Sequence, residues 1–124
     1  MTSLVLVVED EPQLLTLAQK ILSHGGYDVI LASDGAAAVT QALESEPPPA
    51  LVLMDLALPG LDGWEATALI KAQKPDLPVI AVSAHAMISD RQRSEDAGFD
   101  DFLAKPYRRD DLIAAVAKHL PLPL

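Results

Sequence analysis

A chain of 124 residues, half of them hydrophobic and 22% charged, suits one domain with a proper core, and its composition excludes disorder. A net charge of −9 disfavours direct contact with nucleic acid or an anionic membrane, and the lack of cysteine excludes disulfides and thiol chemistry. No apolar run approaches the ~20 residues of a membrane helix. The stretch before Glu9 lacks the basic start of a signal peptide, so a soluble cytoplasmic protein is expected.

The elements alternate along the chain. Leu4–Val8 is a short, continuous, β-branched apolar run and reads as a buried strand (β1), followed at once by Glu9-Asp10-Glu11. Pro12 suits a first helical turn. Leu14, Leu15, Leu17, Ala18, Ile21 and Leu22 then recur at helical spacing (α1), until Gly25-Gly26 stops them. Asp28–Ala32 reads as β2, and Asp34 can cap a helix through Ala38, Val39 and Leu43 (α2), which Pro47-Pro48-Pro49 ends. Residues 50–54 form β3, which terminates at Asp55, and Pro59, Gly60 and Gly63 make the following loop. Residues 64–74 are helical in pattern (α3). Residues 78–82 form β4, ending at Ser83, and a polar helix covers 89–97 (α4). Residues 101–104 are a short β5 ending at Lys105-Pro106, and Leu112, Ile113, Val116 and Leu120 mark an amphipathic α5. Residues 1–120 read as one domain and 121–124 as a frayed tail. Five strand–helix units predict an α/β fold, a doubly wound five-stranded parallel sheet with right-handed crossovers and helices on both faces.

In such a sheet, ligands bind beyond the carboxyl ends of the strands. Standing there are Glu9 and Asp10 after β1, Asp55 after β3, Ser83 after β4 and Lys105 after β5. Taken singly, the acids read as solvated turn residues, Ser83 as a polar strand end and Lys105 as a surface lysine. Taken together, four suitable residue types fall at four converging strand ends. Three packed acids repel unless a cation compensates, and a hard ion such as Mg²⁺ suits a site with few carboxylates. One screened carboxylate can then act as a nucleophile toward phosphorus, with an ammonium and a hydroxyl to neutralise the transferred oxygens.

Four stretches carry a resemblance: Leu-Val-Val-Glu-Asp-Glu-Pro (6–12), Leu-Met-Asp-Leu-Ala-Leu-Pro-Gly-Leu-Asp-Gly (53–63), Ala-Val-Ser-Ala-His-Ala (81–86) and Gly-Phe-Asp-Asp-Phe-Leu-Ala-Lys-Pro (98–106). Over nearly its whole length the chain resembles the CheY-like receiver domains of bacterial two-component signalling. The resemblance implies a flavodoxin-like strand order 2-1-3-4-5. It implies that Asp55 is the phosphorylated aspartate, and that Asp10 binds Mg²⁺ directly and Glu9 directly or through water. The backbone carbonyl of Ala57 would be a further ligand. It also implies that Ser83 bonds a phosphoryl oxygen on activation, that Lys105 pairs with the phosphate, that Pro106 is a cis proline, and that Phe102 is the aromatic switch. Glu9 stands where aspartate is commoner, Ser83 where threonine is, and Phe102 lacks the hydroxyl of tyrosine.

The implied protein is not an enzyme acting on a separate substrate. It is a switch that catalyses its own phosphorylation and dephosphorylation, taking phosphorus from a histidine kinase or a phosphotransfer protein. The output expected is protein–protein contact through the α4-β5-α5 surface, with a downstream effector or a second copy of the chain. Ala57 and His85 flank the path of attacking water, and Ala57 cannot hold a water, which predicts slow loss of phosphate. Arg91, Arg93, Arg108 and Arg109 are expected to be solvated charges, the alternative being pairing with acids across an interface, and Trp64 a packed helix start. Met1 and the short tail favour a free-standing protein, the alternative being a receiver cut from a hybrid histidine kinase. Rival classes fit less well. A haloacid-dehalogenase-type phosphatase needs an acid where Ala57 stands. A flavodoxin-like electron carrier needs a hydroxyl- and Gly-rich phosphate loop after β1, where Glu9-Asp10-Glu11 would repel phosphate. An inert interaction module predicts no Mg²⁺ binding.

Overall fold

The computed structural model describes residues 3–84 and 88–121, with the backbone alone for 88–90; His85 and the last three residues of the expected tail lie outside them. In chain order the elements are β1 (Leu4–Val8), α1 (Pro12–His24), β2 (Asp28–Ala32), α2 (Gly35–Glu44), β3 (Leu51–Asp55), α3 (Gly63–Gln73), β4 (Val79–Ser83), α4 (Ile88–Asp96), β5 (Asp101–Ala104) and α5 (Arg109–His119). The sheet is parallel throughout, in the order β2-β1-β3-β4-β5. The doubly wound, flavodoxin-like architecture expected from the alternation is therefore the one observed.

Strand side chains alternate between two apolar cores. Leu6, Val8, Val52, Met54, Val79 and Ala81 face one way and pack with Ala38 and Ala42 of α2 and Ala66 and Ile70 of α3. Val5, Val7, Leu51, Leu53, Ile80 and Val82 face the other way, onto Ala18 and Leu22 of α1 and Leu112 and Val116 of α5. The three central strands are buried on both faces, which is why they read as unbroken apolar runs.

Local chemistry sets the ends. Asp34 caps α2 through the Ala37 N–H at 2.7 Å, as expected. Asp62 and Glu65 form a reciprocal capping box at the start of α3. At the far end of the sheet, the Tyr27 hydroxyl donates to the Leu120 carbonyl at 2.9 Å, tying the end of α5 to the start of β2.

Two strands run one residue further than the apolar pattern suggests. Asp55 and Ser83 belong to the ladder itself, Asp55 opposite Val82 and Ser83 opposite Ala104. Apolarity marks where side chains are buried among hydrocarbon, whereas backbone pairing continues into the polar cleft. Beyond them, Leu56 N–H bonds the Val82 carbonyl and Lys105 N–H the Ser83 carbonyl. Each reactive side chain therefore sits on a paired backbone rather than on a free loop.

The start of α3 presses on the end of β3. A Cβ placed on Gly63 would collide with the Asp55 carbonyl oxygen and lie 2.8 Å from the Leu56 Cα, both backbone atoms that cannot swing aside. Gly63→Ala is expected to lower stability by roughly 1–3 kcal/mol, the usual range for overpacking, in urea unfolding followed by circular dichroism. A stability equal to wild type would show that the contact relaxes freely.

Candidate functional site

At the carboxyl edge of the sheet, one oxygen from each of Glu9, Asp10 and Asp55 lies within 4.8 Å of the others. Glu9 is 6% exposed and Asp55 3%, whereas Asp10 is exposed. The difference follows from the ladder: Glu9 N–H still bonds the Ala32 carbonyl at 3.1 Å, and the chain turns outward only after it. Lys105 reaches in from the end of β5. Its Nζ lies 2.6 Å from Glu9 Oε1 and 3.1 Å from Asp55 Oδ2. The other Asp55 oxygen accepts the Ala57 N–H at 2.9 Å, and Glu9 Oε2 accepts the Glu11 N–H at 3.3 Å.

The electrostatics follow from burial and crowding. Burial pushes the Glu9 carboxyl up to about 7; the Lys105 ammonium opposes this and the neighbouring Asp55 carboxylate adds to it. The repulsion among acids expected from the sequence is present, but loss of water is the larger cause. Burial alone would make Lys105 easier to deprotonate, yet the two carboxylates outweigh it and hold the ammonium charged above its ordinary range. Burial also raises the hydroxyl of Tyr107, with the Glu9 charge adding to the effect.

The donor set is all oxygen, acidic and closely grouped, and burial beside Asp55 makes Glu9 hold its proton more tightly than an ordinary carboxyl. Such a site suits a small hard divalent cation. Glu9, Asp10 and Asp55 can hold it by their carboxylates, and the chain at Ala57 is turned against Asp55.

The remaining expected residues fall as follows. Ser83 is buried at the end of β4, and its carbonyl fixes the Lys105 backbone at 2.8 Å. Ala57 is exposed in the loop after β3. The Lys105-Pro106 bond is cis. Phe102 is half-buried on β5 and packs against the core on the α2–α3 face. Trp64, at the start of α3, is half-buried and meets Phe99 edge-on at 5.4 Å between centroids. Arg91 and Arg93 are exposed, as expected of solvated charges, and each also meets an aromatic ring. Their guanidinium carbons lie 4.9 Å from the Phe102 ring centre and 4.1 Å from that of Trp64, because planar guanidinium groups stack on aromatic faces.

The sequence reading missed Tyr107, whose hydroxyl feels the charges of Glu9, Lys105 and Asp55. Its position two residues after Lys105 was the available signal. With Leu14, Leu17, Ala84 and Pro106 it lines a groove of about 270 Å³ beside Lys105. Leu17 is half exposed there, an apolar surface that the α1 periodicity alone did not assign to either side.

Residues 5–117 match the response regulator receiver domain family. The transcriptional regulatory proteins TcrA and KdpE of Mycobacterium tuberculosis are 38% identical over 122 residues and 40% identical over 112. These alignments cover 96% and 90% of this chain but 47% and 48% of the relatives, so the chain spans about half the length of the curated relatives it matches. Among solved structures, the receiver domain of the Pseudomonas aeruginosa PAO1 sensor histidine kinase PA1611, with a magnesium ion coordinated in its active-site cleft, is 36% identical. It superposes with a TM-score of 0.87, covering 98% of this chain and 100% of that one. A Francisella response regulator receiver domain, 26% identical, gives a TM-score of 0.89 over 96% of this chain and 97% of that one. With the family match spanning nearly every element of the sheet and its helices, this chain belongs to the response regulator receiver domains of two-component signalling.

Proposed function

We propose that this domain is a phospho-accepting switch in which Asp55 takes a phosphoryl group from a phosphohistidine of a partner histidine kinase or phosphotransfer protein. The observation that carries this reading is the setting of Asp55. It is a buried carboxylate at a strand end, one oxygen on the Lys105 ammonium and the other on a backbone N–H, beside two further acids.

In the forward step an Asp55 oxygen attacks phosphorus, the N–P bond breaks, and the imidazole leaves and takes up a proton. Lys105 exchanges its carboxylate partners for a phosphoryl oxygen, and the Ser83 hydroxyl donates to another. Glu9, Asp10, Asp55 and the Ala57 carbonyl would hold Mg²⁺, which would supply positive charge against the transferred oxygens. In the reverse step a water oxygen attacks phosphorus, inorganic phosphate leaves with the proton, and the Asp55 carboxylate is restored. A donor residue in line with Asp55 must rest on the rim of the cleft, where Leu14, Leu17 and Pro106 offer apolar contact. Inward movement of Ser83 and Lys105 toward the phosphate, with rotation of Phe102, alters the face of α4, β5 and α5. Protein partners, a second copy of the chain among them, read that face. The charge of −9 argues against this domain itself touching nucleic acid.

Incubation with acetyl phosphate and Mg²⁺ is expected to add the mass of one phosphoryl group to the intact protein. Asp55→Asn is expected to gain none, and modification of that variant to the wild-type extent would end the reading. Lys105→Ala should slow the gain by roughly 10²–10³-fold, the usual effect of removing one charge-stabilising donor.

Position 57, an alanine, offers no polar side chain to the water path. Ala57→Asn is expected to shorten the lifetime of the phosphorylated form several-fold, timed by loss of the added mass. Equal lifetimes would remove that role from position 57.

Glu9 links metal binding to pH. Its folded-state pKa, about 7, lies above its ordinary 4.5, so it favours the metal-free fold in acid. That contribution is lost as the pH rises through about 7. Mg²⁺ needs the deprotonated form, so its affinity should climb over the same interval with release of a proton. Calorimetric titration in buffers of different ionisation enthalpy measures this, and Glu9→Gln is expected to flatten the dependence.

A further inference from the structure

Helix α4 departs from the way the other helices dock. Each of α1, α2, α3 and α5 buries an apolar stripe against the sheet. Among the described side chains of α4 only Ser94 is buried, and its hydroxyl turns back to the Arg91 carbonyl of the same helix at 2.7 Å. Arg91, Gln92, Arg93, Glu95 and Asp96 are exposed. The described side chains of α4, residues 91–96, thus give it no apolar face, and other contacts must contribute to its attachment.

Among the described side chains, two arginines make such contacts. The Arg91 guanidinium lies over Phe102 at 4.9 Å, which reaches β5. The Arg93 guanidinium lies over Trp64 at 4.1 Å, which reaches the first turn of α3. That turn begins at Gly63, where an added Cβ would meet the backbone of Asp55, and Trp64 in turn meets Phe99 just before β5. One helix edge is thus pinned to the edge strand and to the segment packed behind the acidic cleft.

We propose that Arg91 and Arg93 form a two-point guanidinium–aromatic clamp that holds α4 closed, and that α4 releases as a unit when the clamp opens. The clamp rests on stacking rather than on charge alone. Lysine keeps the charge but has no planar face to lay on a ring, so it cannot replace arginine here. The inference stands apart from the phosphorylation chemistry, since it concerns the unmodified protein.

Native-state hydrogen exchange read by mass spectrometry tests it in Arg91→Ala, Arg93→Ala, the double variant, and the matching lysine variants. Loss of one surface guanidinium–aromatic contact is expected to raise exchange within residues 88–97 about two- to fivefold. The double variant should approach the product of the two, with β1 and β3 unchanged. The lysine variants should follow the alanine ones, and fluorescence of Trp64, the sole tryptophan, should shift to the red in both Arg93 variants. The proposal fails if the double variant exchanges in 88–97 at the wild-type rate. It fails equally if β1 and β3 rise as much as α4, which marks a global loss of stability, or if lysine restores full protection, which assigns the effect to charge.

Discussion

Two buried carboxylates cannot share the mouth of a parallel sheet without a positive charge between them, and here that charge is the ammonium of Lys105. It lies 2.6 Å from Glu9 and 3.1 Å from Asp55, linking the ends of strands that begin and finish the chain. Removal of one member of such a group would leave an uncompensated buried charge, one of the costliest defects a fold can carry. The arrangement is built on backbone. Lys105 N–H is fixed to the Ser83 carbonyl, Asp55 is paired within the ladder, and Glu9 is held to Ala32.

The surroundings of this triad divide into a stiff side and a loosely held side. On the stiff side, α3 starts so close to β3 that only glycine fits at position 63, and the Asp62–Glu65 box fixes where that helix begins. On the other side, α4 presents hydrophilic residues and meets its neighbours through stacked rings. Closely packed interiors transmit small displacements, whereas weakly attached elements open at low cost. Asp55 touches both sides, its carbonyl against Gly63 and its strand paired with β4 at Val82.

Much of this was legible in the sequence, for identifiable reasons. Strands buried on both faces leave continuous apolar runs, and most helices leave a 3.6-residue rhythm, so the elements could be placed to within a few residues, α5 beginning three residues before its first apolar position. The polar residues that interrupt those runs at Glu9, Asp55, Ser83 and Lys105 marked the cleft, because the ends of parallel strands must gather on one edge. What the pattern could not supply was depth. Glu9 and Asp10 are adjacent acids in the sequence, yet one is buried and the other exposed, and only the ladder bond from Glu9 to Ala32 separates them. Nor could it supply partners distant along the chain. Arg93 and Trp64 are 29 positions apart, and a polar helix carries no periodic signal of a ring beneath it. Tyr107 escaped notice because its role depends on where Lys105 turns, which is a matter of tertiary geometry.

The hydrogen bond from Tyr27 to Leu120 has a consequence for any polypeptide joined beyond residue 121. It anchors the end of α5 beside the amino-terminal edge of β2, whereas Asp55 stands at the opposite rim, about 16 Å away for strands of five residues. A fused segment would therefore depart from the floor of the domain, and its first residues would lie nearer the start of β2 than the acidic rim.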